Sequence, residues 1–131
     1  MSRTLPLRYT HYWLGAGITL LIVIMVLALL PLPAPPRVLA GDKIVHFAAF
    51  AFLTVWFLGV FEMAVAPLVA AGLALYGVAI ELLQSLTLYR YADPYDVLSD
   101  VIGISAGWLL ASVGLRRWCG RAEALLGAGP P

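Results

Sequence analysis

Charge is what this sequence has least of. Asp, Glu, Lys and Arg make up only 11% of its 131 residues, and there are two histidines and a single cysteine, Cys119. A surface so poor in charge cannot be hydrated as that of a soluble domain is, and 63% hydrophobic residues with a mean hydropathy of +0.96 point to an integral membrane protein. The net charge of +1 leaves no basic patch for nucleic acid. One cysteine excludes an internal disulfide, a cysteine-based metal cluster and a two-thiol redox motif. Ser85, Ser99 and Ser105 have no nucleophile signature around them. No internal repeat or second domain is visible, so residues 1–131 read as a single transmembrane domain.

What is present in quantity is apolar sequence, in four runs. Residues 12–30 are uncharged and end at Pro31, long enough at about 1.5 Å per residue to cross the hydrocarbon core. The run exceeds the apolar stretch of a signal peptide and reads as an uncleaved helix. A connector with Pro31, Pro33, Pro35 and Pro36 reads as stiff extended backbone. Spans are then expected at 43–61, 68–89 and 94–115, the last stopping at Arg116 and Arg117, with no stable structure in the tail. The fold class is all-α, an integral membrane four-helix transmembrane bundle. Tyr9, Tyr12, Trp13, Tyr89, Tyr91, Tyr95, Trp108 and Trp118 read as an interfacial aromatic belt.

The few polar residues are not scattered. Asp93 followed by Pro94 is a helix start, a capping side chain and then a residue with no N–H to satisfy. At about 100° per residue, Asp96, Asp100, Gly103 and Gly107 then fall on one narrow face. Lys43, His46 and Phe50 share a face of the second span, and Gly77, Glu81 and Gln84 one of the third. Alternating spans bring the start of the second, the end of the third and the start of the fourth to the same membrane face. Lys43, His46, Glu81, Gln84, Arg90, Asp93, Asp96 and Asp100 are thereby expected together, as a ligand-binding site or a polar network that fixes helix register. Gly103 and Gly107 form a GxxxG step suited to close internal packing on the second or third span. No cofactor is expected, and no metal, because one histidine among scattered carboxylates such as Glu81 and Asp100 has no diagnostic ligand spacing.

The order Asp42-Lys43-x-x-His46, Glu81-x-x-Gln84, Arg90, Asp96, Asp100 and two spaced glycines resembles the VanZ-like membrane protein family, over about residues 42 to 107. The resemblance implies a small multi-pass bacterial protein, with a founding type associated with low-level resistance to the glycopeptide teicoplanin and no established enzymatic mechanism. It marks Lys43, His46, Glu81, Gln84, Arg90 and Asp96 as the polar signature. Asp100 departs from it, since many relatives have Asn there, and Phe50 stands where an aromatic residue, often Tyr, is usual.

Three functions follow as expectations. The first is a non-enzymatic protein with an extracytoplasmic polar site for a lipid head group, a cell-wall precursor or a glycopeptide. The second is an accessory subunit packed against other membrane-protein subunits. The third is an enzyme acting on a lipid-linked substrate, with His46 or Glu81 as general acid or base. Membrane lipids are the expected partners. Flanking Lys and Arg number five on the side of Arg3, Arg8, Arg116, Arg117 and Arg121, and three on that of Arg37, Lys43 and Arg90. That bias places both termini in the cytoplasm of the bacterial inner membrane.

Overall fold

A computed structural model describes residues 3–31, 41–89 and 92–127. Expectations for the interior of the proline-rich connector, Arg90, Tyr91 and the last four residues lie outside the described residues. Five α-helices are described: α1 (Thr10–Leu29), α2 (Gly41–Leu58), α3 (Ala66–Ser85), α4 (Pro94–Ser112) and α5 (Trp118–Leu125). The first four form the bundle, and no strand occurs among the described residues.

Local chemistry sets the helix ends. Leu30 is extended, as the residue before a proline must be, and this stops α1. Pro67 lies in the first turn of α3, where its missing N–H costs nothing. Helix α3 stops at Ser85 rather than running on to Tyr89, because Ser85 and Thr87 turn their hydroxyls onto the carbonyls of Leu82 and Gln84. Helix α4 begins at the Asp93 cap, whose Oδ1 accepts from the Tyr95 N–H at 2.9 Å. It ends at Ser112, short of Leu115, and the chain turns at Gly114, whose φ of 124° suits a residue without Cβ.

Helices α1, α2 and α3, the last with its leading 3-10 turn, are each long and apolar enough to cross a membrane. Helix α4 reaches that standard only together with α5, from which it is bent by 71°. Asp96 and Asp100 are what dilute it. In α1 only Gly17 is buried, and Ile18, Ile22, Val23, Val26 and Leu27 project outward, as lipid-facing residues do.

Helices α2 and α4 make the most extensive pair in the bundle. The reason lies in the buried face of α4. A Cβ built on Gly107 would meet Ala51 O at 2.5 Å and Thr54 Cβ at 2.7 Å, and one on Gly103 would strike the Phe47 carbonyl. Both glycines therefore lie directly against the backbone of α2. Phe50, Leu53, Leu73, Ile80 and Ile104 fill the core between α2, α3 and α4, with Leu21, Ile24 and Met25 of α1 against it. Helix α1 is tied to α3 by Tyr76 Oη donating to Leu21 O at 2.6 Å and Gln84 Nε2 to Ala28 O at 3.0 Å. These bonds advance in step along both helices, so α1 and α3 run parallel.

The end opposite the Asp93 cap is organised differently from the sequence expectation. Trp13 and Trp118, read as belt residues, also pack between helices there. Their rings pack 5.1 Å apart with Trp56 between helices, and the Trp118 indole donates to Val55 O at 3.2 Å. The tail is helical through Leu125, and its Glu123 accepts from the Arg8 and Tyr9 N–H groups and the Trp13 indole at 2.8–2.9 Å. Two backbone N–H groups just ahead of α1 and one indole thus share one carboxylate, and the tail is fastened to the helix whose start it neutralises.

Candidate functional site

Three helices deliver ionisable side chains to the Asp93 end of the bundle. From the first turns of α2, Lys43 Nζ reaches Asp93 Oδ2 at 2.7 Å and Asp96 Oδ1 at 3.2 Å. One turn deeper, His46 Nδ1 lies 2.9 Å from Asp100 Oδ1, while its Nε2 stands 4.0 Å from Asp96 Oδ2, beyond hydrogen-bonding distance. From the last turns of α3, Glu81 Oε2 accepts the Asp93 N–H at 2.9 Å. The face of α4 that the sequence pattern picks out is buried, with Asp96, Asp100, Gly103 and Gly107 all inside. The carboxylates crowd the N-terminus of α4, where the helix dipole favours negative charge.

Not all of the expected residues meet there. Lys43, His46, Glu81, Asp96 and Asp100 come together. Gln84 instead gives its amide to the end of α1, and Arg90 lies outside the described residues. Gly77 takes part as a space: a Cβ on it would sit 2.5 Å from Asp100 Oδ2, so the acid lies against bare α3 backbone. Sequence reading missed the latch of Glu123 on α1 and the tryptophan cluster, both at the opposite end.

Charge is unevenly satisfied. Lys43 holds the Asp93 carboxyl below its ordinary range, with the Tyr95 N–H adding to the effect. At the opposite end, burial alone would raise Glu123, but the three donors at the start of α1 hold it below its usual value. Burial, with Glu123 beside it, pushes the Cys119 thiol up to about 12, which leaves it inert as a nucleophile.

In the cluster two buried oxygens, Glu81 Oε1 and Asp100 Oδ2, lack any hydrogen-bond partner among the described residues. Glu81 is 4% exposed and Asp100 1%, so bulk solvent does not reach them. His46, Glu81 and Asp96 each place a ligand-type atom within 4.8 Å of the other two. The sequence offers no diagnostic metal spacing among His46, Glu81 and Asp100; the fold groups Asp96, rather than Asp100, with His46 and Glu81, one residue from each of α2, α3 and α4.

A family model for VanZ/LLP1 matches residues 36–115. No curated protein and no solved structure matches the chain. The matched stretch covers more than half of the sequence and contains all of α2, α3 and α4, hence every residue of the cluster; the chain belongs to the VanZ/LLP1 family.

Proposed function

We propose that this is a non-enzymatic membrane binding protein whose polar cluster, on the extracytoplasmic side, receives the polar head of an envelope molecule. The candidate ligands are a lipid head group, a lipid-linked cell-wall precursor and a glycopeptide. The observation that carries the reading is the pair of buried, unpartnered oxygens on Glu81 and Asp100. A cluster serving only to fix helix register has no use for unmet acceptors, each of which costs about 1–3 kcal/mol. Lys43 is already committed to two carboxylates, so the ligand, or something bound with it, must bring donors or positive charge. The sidedness follows from Arg116, Arg117 and Arg121 at the end away from the cluster, which favours that end in the cytoplasm.

The test is to purify the protein from native membranes in mild detergent and identify the lipids and precursors carried with it. Wild type and the exposed control Ser85→Ala should retain one class of envelope molecule, and Glu81→Gln and Asp96→Asn should lose it while remaining helical and monodisperse. Equal retention in all four would refute the reading.

A further inference from the structure

We propose that His46 Nε2, Glu81 and Asp96 together hold one divalent transition-metal ion of the zinc or manganese type, with Asp100 as the positioning residue that orients the imidazole. The proposal deepens the reading of the cluster as a binding site and rests on it.

Each ligand has one committed atom and one spare. Asp96 gives Oδ1 to Lys43 and turns Oδ2 toward His46. Glu81 gives Oε2 to the Asp93 N–H and keeps Oε1 buried with no partner among the described residues. His46 gives Nδ1 to Asp100 and leaves Nε2 beyond hydrogen-bonding reach of Asp96. An ionised Asp100 only accepts, so it places the proton on Nδ1 and the lone pair on Nε2. That is the carboxylate–histidine–metal relay by which such ligands are oriented.

Charge points the same way. Among the described residues at this end, Glu81, Asp93, Asp96 and Asp100 face one Lys43 and one His46. Three of these acids, Glu81, Asp96 and Asp100, are buried, and buried acids within a spanning segment are tolerated when paired; one ammonium, shared with the half-exposed Asp93, does not pair them all. A divalent cation supplies the missing charge where the spare oxygens are. The fit is also geometric. Tetrahedral zinc, with bonds of about 2.0–2.2 Å, sets its ligands roughly 3.3–3.6 Å apart. Nε2 and Asp96 Oδ2 are 4.0 Å apart, and one carboxylate oxygen of Glu81 falls in a group with the other two residues no wider than 4.8 Å, a spread that side-chain rotations can close. One imidazole with two carboxylates suits zinc or manganese better than calcium or magnesium. Three protein ligands leave a fourth position of a tetrahedral ion open for an exogenous donor, for which a phosphate oxygen of a head group has the right chemistry.

The experiment uses the full chain in detergent, stripped with a chelator and titrated with zinc, manganese, magnesium or calcium chloride, with bound metal counted by mass spectrometry. The expected result is one zinc or manganese ion per chain, and no stoichiometric uptake of magnesium or calcium. Uptake should disappear in Glu81→Gln and Asp96→Asn, persist in Ser85→Ala, and weaken about 10–100-fold in Asp100→Asn. Should His46→Ala fail to accumulate, cobalt bound to the wild type answers in its place, because a nitrogen-and-oxygen four-coordinate site gives intense visible bands. No stoichiometric uptake by wild type, uptake unchanged in Glu81→Gln, or a cobalt spectrum of six-coordinate hydrated type would overturn the proposal. Head-group retention in a metal-free wild type that Glu81→Gln abolishes would overturn the metal and leave the binding site standing. Metal uptake with no envelope molecule retained would do the reverse.

Discussion

The contact between α2 and α4 makes a sharp prediction, because it depends on two missing methyl groups. In Gly107→Ala the new Cβ would lie 2.5 Å from Ala51 O and 2.7 Å from Thr54 Cβ, where ordinary contact begins at 3.4 Å. The shortfall is about 0.9 Å, and the obstacle is helix backbone, which cannot rotate away. The helices must therefore part by nearly that much, giving up packing along the most extensive pair in the bundle. Overpacking of this kind costs about 1–3 kcal/mol. Gly103→Ala, aimed at the Phe47 carbonyl one turn nearer the cluster, should cost as much and also stretch the 2.9 Å link between His46 and Asp100. Gly72→Ala is the control: it lies in α3 with nothing within 4 Å of its would-be Cβ, and should be neutral or stabilising by up to about 1 kcal/mol. Thermal and denaturant unfolding of the three variants in detergent decides the matter. Equal stability of Gly107→Ala and Gly72→Ala would show that α2 and α4 do not approach as described.

Other consequences are smaller but distinct. Glu123→Ala leaves the Arg8 and Tyr9 N–H groups without their acceptor and should destabilise by about 1–3 kcal/mol, read as a lowered melting temperature and faster proteolysis of the N-terminal segment. Glu123 and Asp93 are held below their ordinary values of 4.5 and 3.8, so their stabilisation is complete above those values and is lost as pH falls through the lower folded ones. Melting temperature should accordingly drop below about pH 4.5, and Glu123→Gln should flatten that slope. Gly77→Ala removes no polar group, yet its Cβ would displace Asp100 Oδ2; metal affinity in titration should fall with helicity unchanged.

How much of this could be read from the residues differs by element. That Asp96, Asp100, Gly103 and Gly107 share one side of α4 follows from helical period alone, and the packing of α2 and α3 is what buries that side. The meeting of α2, α3 and α4 follows from alternating direction, which the membrane imposes. Gln84 shows the limit: from the end of α3 it serves α1 rather than the acids, and the position of α1 is set by packing that no spacing encodes. Helix α5 was hidden for another reason. It has eight residues, too short for a periodic signal, and is held by Glu123 reaching residues more than a hundred positions away. Trp13 and Trp118 read as interfacial because their neighbours in sequence are, yet each has its partner on a different helix. The metal-like grouping of His46, Glu81 and Asp96 was invisible as spacing and appears only when three helix ends converge.

On the reading proposed above, the cluster at the Asp93 end holds an ion, a head group or both. Native mass spectrometry of the protein released from its own membranes addresses both at once, because it weighs ion and head group together. A discrete added mass is expected on wild type and is absent from Glu81→Gln and Asp96→Asn. A wild-type chain that flies bare, or an added mass that survives both substitutions, would contradict it.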